Sequence, residues 1–167
     1  MIRVAIDDLA FLPVDAVLRA ADDQLDPASP DSSVLDRQGG DSLLAARRVQ
    51  DRLEVGSAVV TASGDLAAPF VIHVVVRAAE GAVTTASVER ALTAAWYRAR
   101  DWQLARLAAP LVGLGPGQLD PEAAAEAIAR TLRAARAEHG FPHELTVVVR
   151  DERERGLVAP VLEKPAP

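Results

Sequence analysis

PFVIHVVVR, at residues 69–77, is the stretch of sequence that decides the class of fold. Between Phe70 and Val76 it is apolar except at His73, which is typical of a central strand covered on both faces of a sheet. A helical repeat of apolar residues follows at 87–101. A buried strand followed by an amphipathic helix predicts an α/β domain.

The same alternation extends in both directions along the chain. A helix is predicted at 42–53, and another from Pro121 to Gly140 with Asp120 as its N-cap. Further strands are predicted at 2–6, 14–21, 57–62, 104–112 and 144–150. We therefore expect a three-layer α/β/α fold with a mixed, largely parallel central sheet.

Two segments lack a regular pattern. Residues 22–41 are rich in Asp, Ser, Pro and Gly, which predicts a long loop of the kind that is often functional or mobile. We expect residues 1–155 to form a single domain and residues 156–167 to form a loose, proline-containing tail.

Composition excludes several classes of function. A net charge of -6 argues against general nucleic-acid binding, which needs a basic surface. Cysteine is absent and no metal-ligand spacing occurs, so we expect neither a metal nor a cofactor. No apolar run has the length of a membrane span, so a cytoplasmic protein is expected.

Abundant Ala and Arg with a single lysine, Lys164, indicate a GC-rich bacterial source. The sequence does not predict an oligomeric state.

The glycine-rich segment GLGPGQLDPE, at 113–122, lies between a predicted strand and a capped helix. Glycines, free amides and a helix N-terminus together favour an anion such as phosphate. A plain strand-to-helix connection is the alternative.

Two other features have both structural and functional interpretations. His73 lies inside an apolar strand, where a hydrogen-bonded core histidine is expected more often than a catalytic one. Asp7 and Asp8 follow the first strand and are expected to be solvated or capping groups, or to accept a hydrogen bond from an adenine amino group.

The order of these motifs, from about residue 3 to residue 151, resembles the macro domain family. VDAV at 14–17 and the pair Ala20-Ala21 match that family, as does APLVGLGPGQLDPEAAAEAI at 109–128. Between them, LEVGSAVVTASGDLAAPFVIHVVV at 53–76 has the family's order of matching residues, namely Gly56, Ala58, Thr61, Leu66, Val71, Ile72 and His73.

The resemblance implies a cleft for ADP-ribose or a related nucleotide, with an ADP-ribosylated protein as a possible partner. Asp8 would receive the adenine amino group, and the amides of 113–118 would hold the phosphates. The ligand-binding residues that it implies are Asp8, Leu9, Ala21, Ser33, Val34, Gly113, Leu114, Gly115, Pro116, Gly117 and Arg150.

The chain also departs from the family pattern. Arg19 and Asp22 replace the two asparagines of the family's Asn-Ala-Ala-Asn motif, and the chain contains no asparagine. Asp31-Ser32-Ser33 aligns with a glycine triplet, and Arg150 stands near the aromatic residue that stacks on adenine, where a guanidinium can also stack.

These departures lead us to expect a divergent nucleotide-binding macro domain with weak or no hydrolase activity. The alternatives are an interaction or structural module without nucleotide binding, and an ADP-ribosyl hydrolase with a rearranged site. In the last case Asp22 is the candidate catalytic residue.

Overall fold

A six-stranded mixed sheet forms the middle layer of the computed structural model, which describes residues 1–164. The strands are β1 (Ile2–Ile6), β2 (Ala16–Asp22), β3 (Ala58–Ala62), β4 (Phe70–Arg77), β5 (Arg106–Ala109) and β6 (Glu144–Val149). Their order across the sheet is β1-β6-β5-β2-β4-β3. All neighbours are parallel except β3, which pairs antiparallel with β4 at one edge.

Four helices cover the two faces of the sheet. They are α1 (Pro30–Ala46), α2 (Thr85–Asp101), α3 (Pro121–Glu138) and α4 (Glu152–Leu162). Helices α2, α3 and α4 share one core cluster, whereas α1 packs in a separate cluster on the opposite face. The predicted three-layer α/β/α fold with a largely parallel sheet is therefore confirmed.

The core between α2 and α3 is built around Trp96, whose side chain is completely buried. Its indole Nε1 donates a hydrogen bond to Thr131 Oγ1 on α3 at 3.0 Å, so its one polar atom has a partner. Small residues at Ala91, Ala95 and Ala124 allow the two helices and the sheet to approach closely.

Helix α1 corrects the predictions of a loop at 22–41 and of a helix at 42–53. It begins at Pro30, because Ser29 caps it by accepting a hydrogen bond from the Ser32 amide at 3.1 Å. It ends at Ala46, and Gly40 forms a kink inside it with a φ of 68°, a value that favours glycine.

Helix α4 corrects the prediction of a loose tail from residue 156. Asp151 accepts a hydrogen bond from the Glu154 amide at 2.8 Å and caps the helix. Val158 and Leu162 are buried in the main core, so the chain packs on the domain as far as Leu162. The part of the predicted tail at 165–167 lies outside the described residues.

Within residues 1–164, none of the helices combines the length and the apolarity that a membrane crossing needs.

Candidate functional site

A cleft opens at the carboxyl ends of β1, β5 and β6, the position at which parallel α/β sheets bind ligands. It consists of two adjoining cavities of about 270 and 440 Å³, which share Asp31, Leu114 and Arg150. The first is lined by Ile6, Asp7, Asp8, Leu9, Asp31, Val34, Leu35, Pro110, Leu111, Leu114, Val148, Val149, Arg150 and Glu154. The second is lined by Pro30, Asp31, Leu114, Gly115, Pro116, Leu119, Pro121 and Arg150.

Asp8 lies at the β1 end of the cleft. Its Oδ1 accepts a hydrogen bond from the Ala10 amide at 2.9 Å and caps the short 3-10 turn Leu9–Phe11. The carboxylate remains exposed, and a carboxylate has room for several donors. An amino group entering the first cavity would therefore find an acceptor held in a fixed position.

Arg150 stands between the two cavities and is the one cation among their lining residues. Its Nη2 donates to Glu154 Oε1 at 3.1 Å, and its backbone amide donates to Glu154 Oε2 at 2.7 Å. The hydrogen bond and charge of Glu154 raise the pKa of Arg150. The guanidinium side chain is 68% exposed, so one flat face is free for stacking.

The loop at 113–118 forms one wall of the second cavity through Leu114, Gly115 and Pro116. Gly113 has a φ of 96°, and a Cβ there would lie 2.9 Å from Val88 Cγ2, so both the turn and the packing require glycine. The Leu119 amide donates to the Gly113 carbonyl at 3.0 Å and closes the loop.

The opposite wall is the first turn of α1, with Pro30 and Asp31. The segment Asp31-Ser32-Ser33, which aligns with the family's glycine triplet, is helical and follows the Ser29 cap. Asp31 is half-buried, and desolvation by this burial raises the pKa of its carboxyl.

The structure brings together Asp8, Leu9, Val34, Leu114, Gly115, Pro116 and Arg150 of the predicted ligand-binding residues. Ala21, Ser33, Gly113 and Gly117 are not part of the lining of these two cavities. Ala21 is fully buried against Leu25 and Val75, and Gly113 packs against Val88.

Asp22, the candidate catalytic residue, is also outside the lining of both cavities. It is buried at the end of β2, where its Oδ1 accepts hydrogen bonds from the amides of Gln24 at 2.8 Å and Asp26 at 3.0 Å. These contacts hold the tight turn that reverses the chain after β2.

Arg19 lies in the middle of β2 and is completely buried. Its Nε and Nη2 donate to the two carboxylate oxygens of Asp36 on α1, at 2.8 and 2.9 Å, in a bidentate pair. Its Nη1 donates to the Leu25 carbonyl at 2.9 Å and lies 3.2 Å from His73 Nδ1. Arg19 therefore forms a buried ion pair between the sheet and α1.

His73 completes this network, which confirms the prediction of a hydrogen-bonded core histidine. Because Arg19 can only donate, Nδ1 is the acceptor, and Nε2–H donates to Thr61 Oγ1 at 2.8 Å. Burial, followed by the charges of Arg19 and Arg47, lowers the pKa of His73 to about 3. The imidazole is therefore neutral.

Sequence reasoning missed Glu154 and the position of Asp31 as charged groups of the cleft. Predicting either carboxylate requires knowing where its helix begins, because each stands in the first turn of its helix. The cap residues Ser29 and Asp151 were the available signals.

Comparison with known proteins agrees with this fold. A family model described as Macro domain matches residues 19–128. The chain therefore belongs to the macro domain family.

Curated relatives and solved structures extend the match. The chain is 36% identical over 78 residues to an O-acetyl-ADP-ribose deacetylase of Cronobacter sakazakii. This match covers 44% of this chain and 43% of the relative, so it spans less than half the length of that protein. It is 29% identical over 164 residues to an O-acetyl-ADP-ribose deacetylase of Citrobacter koseri, covering 93% of this chain and 92% of the relative. Among solved structures, a Trypanosoma brucei macrodomain in complex with ADP-ribose superposes with a TM-score of 0.82 at 18% identity, covering 94% of this chain and 67% of the other.

Proposed function

We propose that the cleft binds ADP-ribose or a related adenine nucleotide, with weak or no hydrolase activity. The observation that carries this proposal is the placement of Asp8 and loop 113–118 along one cleft at the carboxyl ends of parallel strands. The relative that superposes on this fold was solved in complex with ADP-ribose.

Adenine would occupy the first cavity. Its amino group would donate to Asp8, and its rings would lie among Ile6, Val34 and Val149 with the Arg150 guanidinium beside them. Apolar side chains around a few fixed polar groups are typical of small-molecule sites. The ribose and phosphates would extend into the second cavity, toward Gly115.

Binding is tested by calorimetry and thermal melting with ADP-ribose, ADP and adenosine. A ligand that binds the native state alone must raise the melting temperature as its concentration rises. Absence of heat and of any melting shift up to millimolar concentrations of all three compounds would overturn the proposal.

Asp8→Asn should weaken adenosine binding about tenfold, equivalent to about 1.4 kcal/mol, because the charged acceptor of the adenine amino group is lost. Calorimetry with adenosine measures this change without any phosphate charge. The asparagine retains an oxygen for the Ala10 amide, so the 3-10 turn is preserved.

Asp7→Asn is the matched control for Asp8→Asn, since Asp7 also lines the cavity and carries the same charge. It should change adenosine affinity less than twofold. Equal losses from both substitutions would show that Asp8 has no specific role in adenine binding.

Weak or absent hydrolysis is proposed on two grounds. The chain has no asparagine to orient a water molecule, and the Asp22 carboxylate is engaged by the amides of its own turn. Asp22 is also buried and outside the lining of both cavities, so a rearranged hydrolase would need the turn after β2 to open.

Asp22→Ala should lower the free energy of unfolding by about 1–3 kcal/mol, because two backbone amides lose their buried acceptor. Urea unfolding measures this loss, and Asp22→Asn should largely restore stability by keeping an oxygen acceptor. Release of ADP-ribose from a mono-ADP-ribosylated protein should stay at background in wild type and both variants. Release by wild type that Asp22→Ala abolishes would instead assign hydrolysis to Asp22.

A further inference from the structure

The first cavity of the cleft carries a charge balance that is unfavourable for a diphosphate. Asp7, Asp8, Asp31 and Glu154 line it with a single cation, Arg150. Glu154 accepts one hydrogen bond from the Arg150 guanidinium and another from the Arg150 backbone amide, so the one cation of the cleft is already paired with a carboxylate. Negative groups dominate the space between the adenine end and loop 113–118.

The two helix N-termini that face the second cavity are also poor anion donors. Both α1 and α3 begin with proline, at Pro30 and Pro121, which has no N–H to offer. In α1 the Ser32 amide donates to Ser29, and in α3 the Ala123 amide donates to Asp120 at 2.8 Å. The first-turn amides that remain belong to Asp31 and Glu122, which both carry a negative side chain.

Asp31 is the carboxylate best placed to act on a ligand, because it lines both cavities and stands where they join. A ligand that extends from Asp8 to Gly115 would occupy both of the cavities that Asp31 lines. Desolvation already opposes its charge, as the raised pKa of Asp31 indicates, and a phosphate beside it would add repulsion.

We propose that Asp31 sets the ligand class of the cleft, favouring an uncharged adenine nucleoside over a diphosphate such as ADP-ribose. This inference rests on the proposed adenine-binding function and adds an order of affinity to it, in which ADP-ribose still binds but no more tightly than adenosine. The adenosine moiety supplies the binding energy in the first cavity, and the carboxylate of Asp31 weakens binding of any ligand that carries phosphate past it.

The test compares adenosine with ADP-ribose by calorimetry at pH 7.5, for wild type, Asp31→Asn and the control Asp41→Asn. Asp41 is an exposed carboxylate on the same helix outside the cleft lining, so its substitution removes the same charge at a distance. In wild type, adenosine should bind at least as tightly as ADP-ribose. Asp31→Asn should tighten ADP-ribose about tenfold and change adenosine less than twofold, and Asp41→Asn should change neither more than twofold.

The outcomes separate this inference from the proposed function. ADP-ribose binding to wild type more than tenfold tighter than adenosine would overturn the role of Asp31 while leaving the nucleotide site in place. Equal effects of Asp31→Asn and Asp41→Asn would also overturn it, since the effect would then be one of net charge. Absence of binding for both ligands in all three proteins would overturn the proposed function itself, and this inference with it.

Discussion

Arg19→Ala is expected to lower the free energy of unfolding by about 3–5 kcal/mol, because it leaves the carboxylate of Asp36 buried and without its partner. Arg47 remains as a weaker ionic partner, since its Nη2 lies 3.6 Å from Asp36 Oδ2, within ion-pair distance but beyond a hydrogen bond. The Leu25 carbonyl and His73 Nδ1 also lose their Arg19 donor. Urea unfolding followed by far-UV circular dichroism measures the loss.

Two further variants test whether the loss comes from the buried ion pair. Arg130→Ala removes an exposed pair with Glu89 and should cost less than about 1 kcal/mol. The double variant Arg19→Met with Asp36→Leu replaces both charges by apolar groups and should recover most of the stability. A loss below 1 kcal/mol for Arg19→Ala would mean that the pair contributes little.

The second large expected effect is a loss of stability at acidic pH. Between pH 7 and pH 5, His73 should lower the free energy of unfolding by about 2 kcal/mol. The imidazole of the unfolded chain gains a proton near its ordinary pKa of 6.5, whereas the pKa of His73 in the folded protein is about 3. The unfolded state therefore binds more protons in this window, and stability falls as the pH falls.

His73→Gln should remove this part of the pH dependence, because glutamine can accept from Arg19 and donate to Thr61 without titrating. His143→Gln, at an exposed histidine, should leave the slope as in wild type. Urea unfolding at pH 7, 6 and 5 gives the three slopes. A His73→Gln slope equal to that of wild type would refute the assignment.

The parts of the fold that the sequence predicted best are those whose buried face is apolar. β4 is buried from Val71 to Val76, and the predicted strand at 70–77 matches it. Helix α3 begins with the predicted cap Asp120 and the proline at its first position, which mark its start independently of any partner.

Helix α1 could not be predicted from its apolar pattern because its buried face is largely polar or small. The buried positions are Ser32, Leu35, Asp36, Gly39 and Leu43, which have helical spacing but include only two large apolar residues. Asp36 is buried because its partner Arg19 lies on β2, and Ser32 because its hydroxyl donates to the Ala20 carbonyl at 2.6 Å. The local periodicity of a sequence carries no information about a pairing between distant segments.

The residues of the cleft also divide into those that the sequence predicted and those that it did not. Asp8 was predicted because it follows the first strand, and strand ends fix the position of a site in a parallel sheet. Arg150 was predicted from the resemblance to the macro domain family. Asp31 and Glu154 were not predicted to line the cleft, because the starts of the helices that carry them were not predicted. Errors in helix boundaries thus became errors in the charge of the site.

The ion pair between Arg19 and Asp36 ties two positions 17 residues apart to one another. A substitution at either position alone strands a buried charge, so the two sites can change with little cost only when they change together. An asparagine introduced at position 19 alone would leave the Asp36 carboxylate without its bidentate partner. Position 19 is therefore constrained by its packing against α1, independently of any ligand.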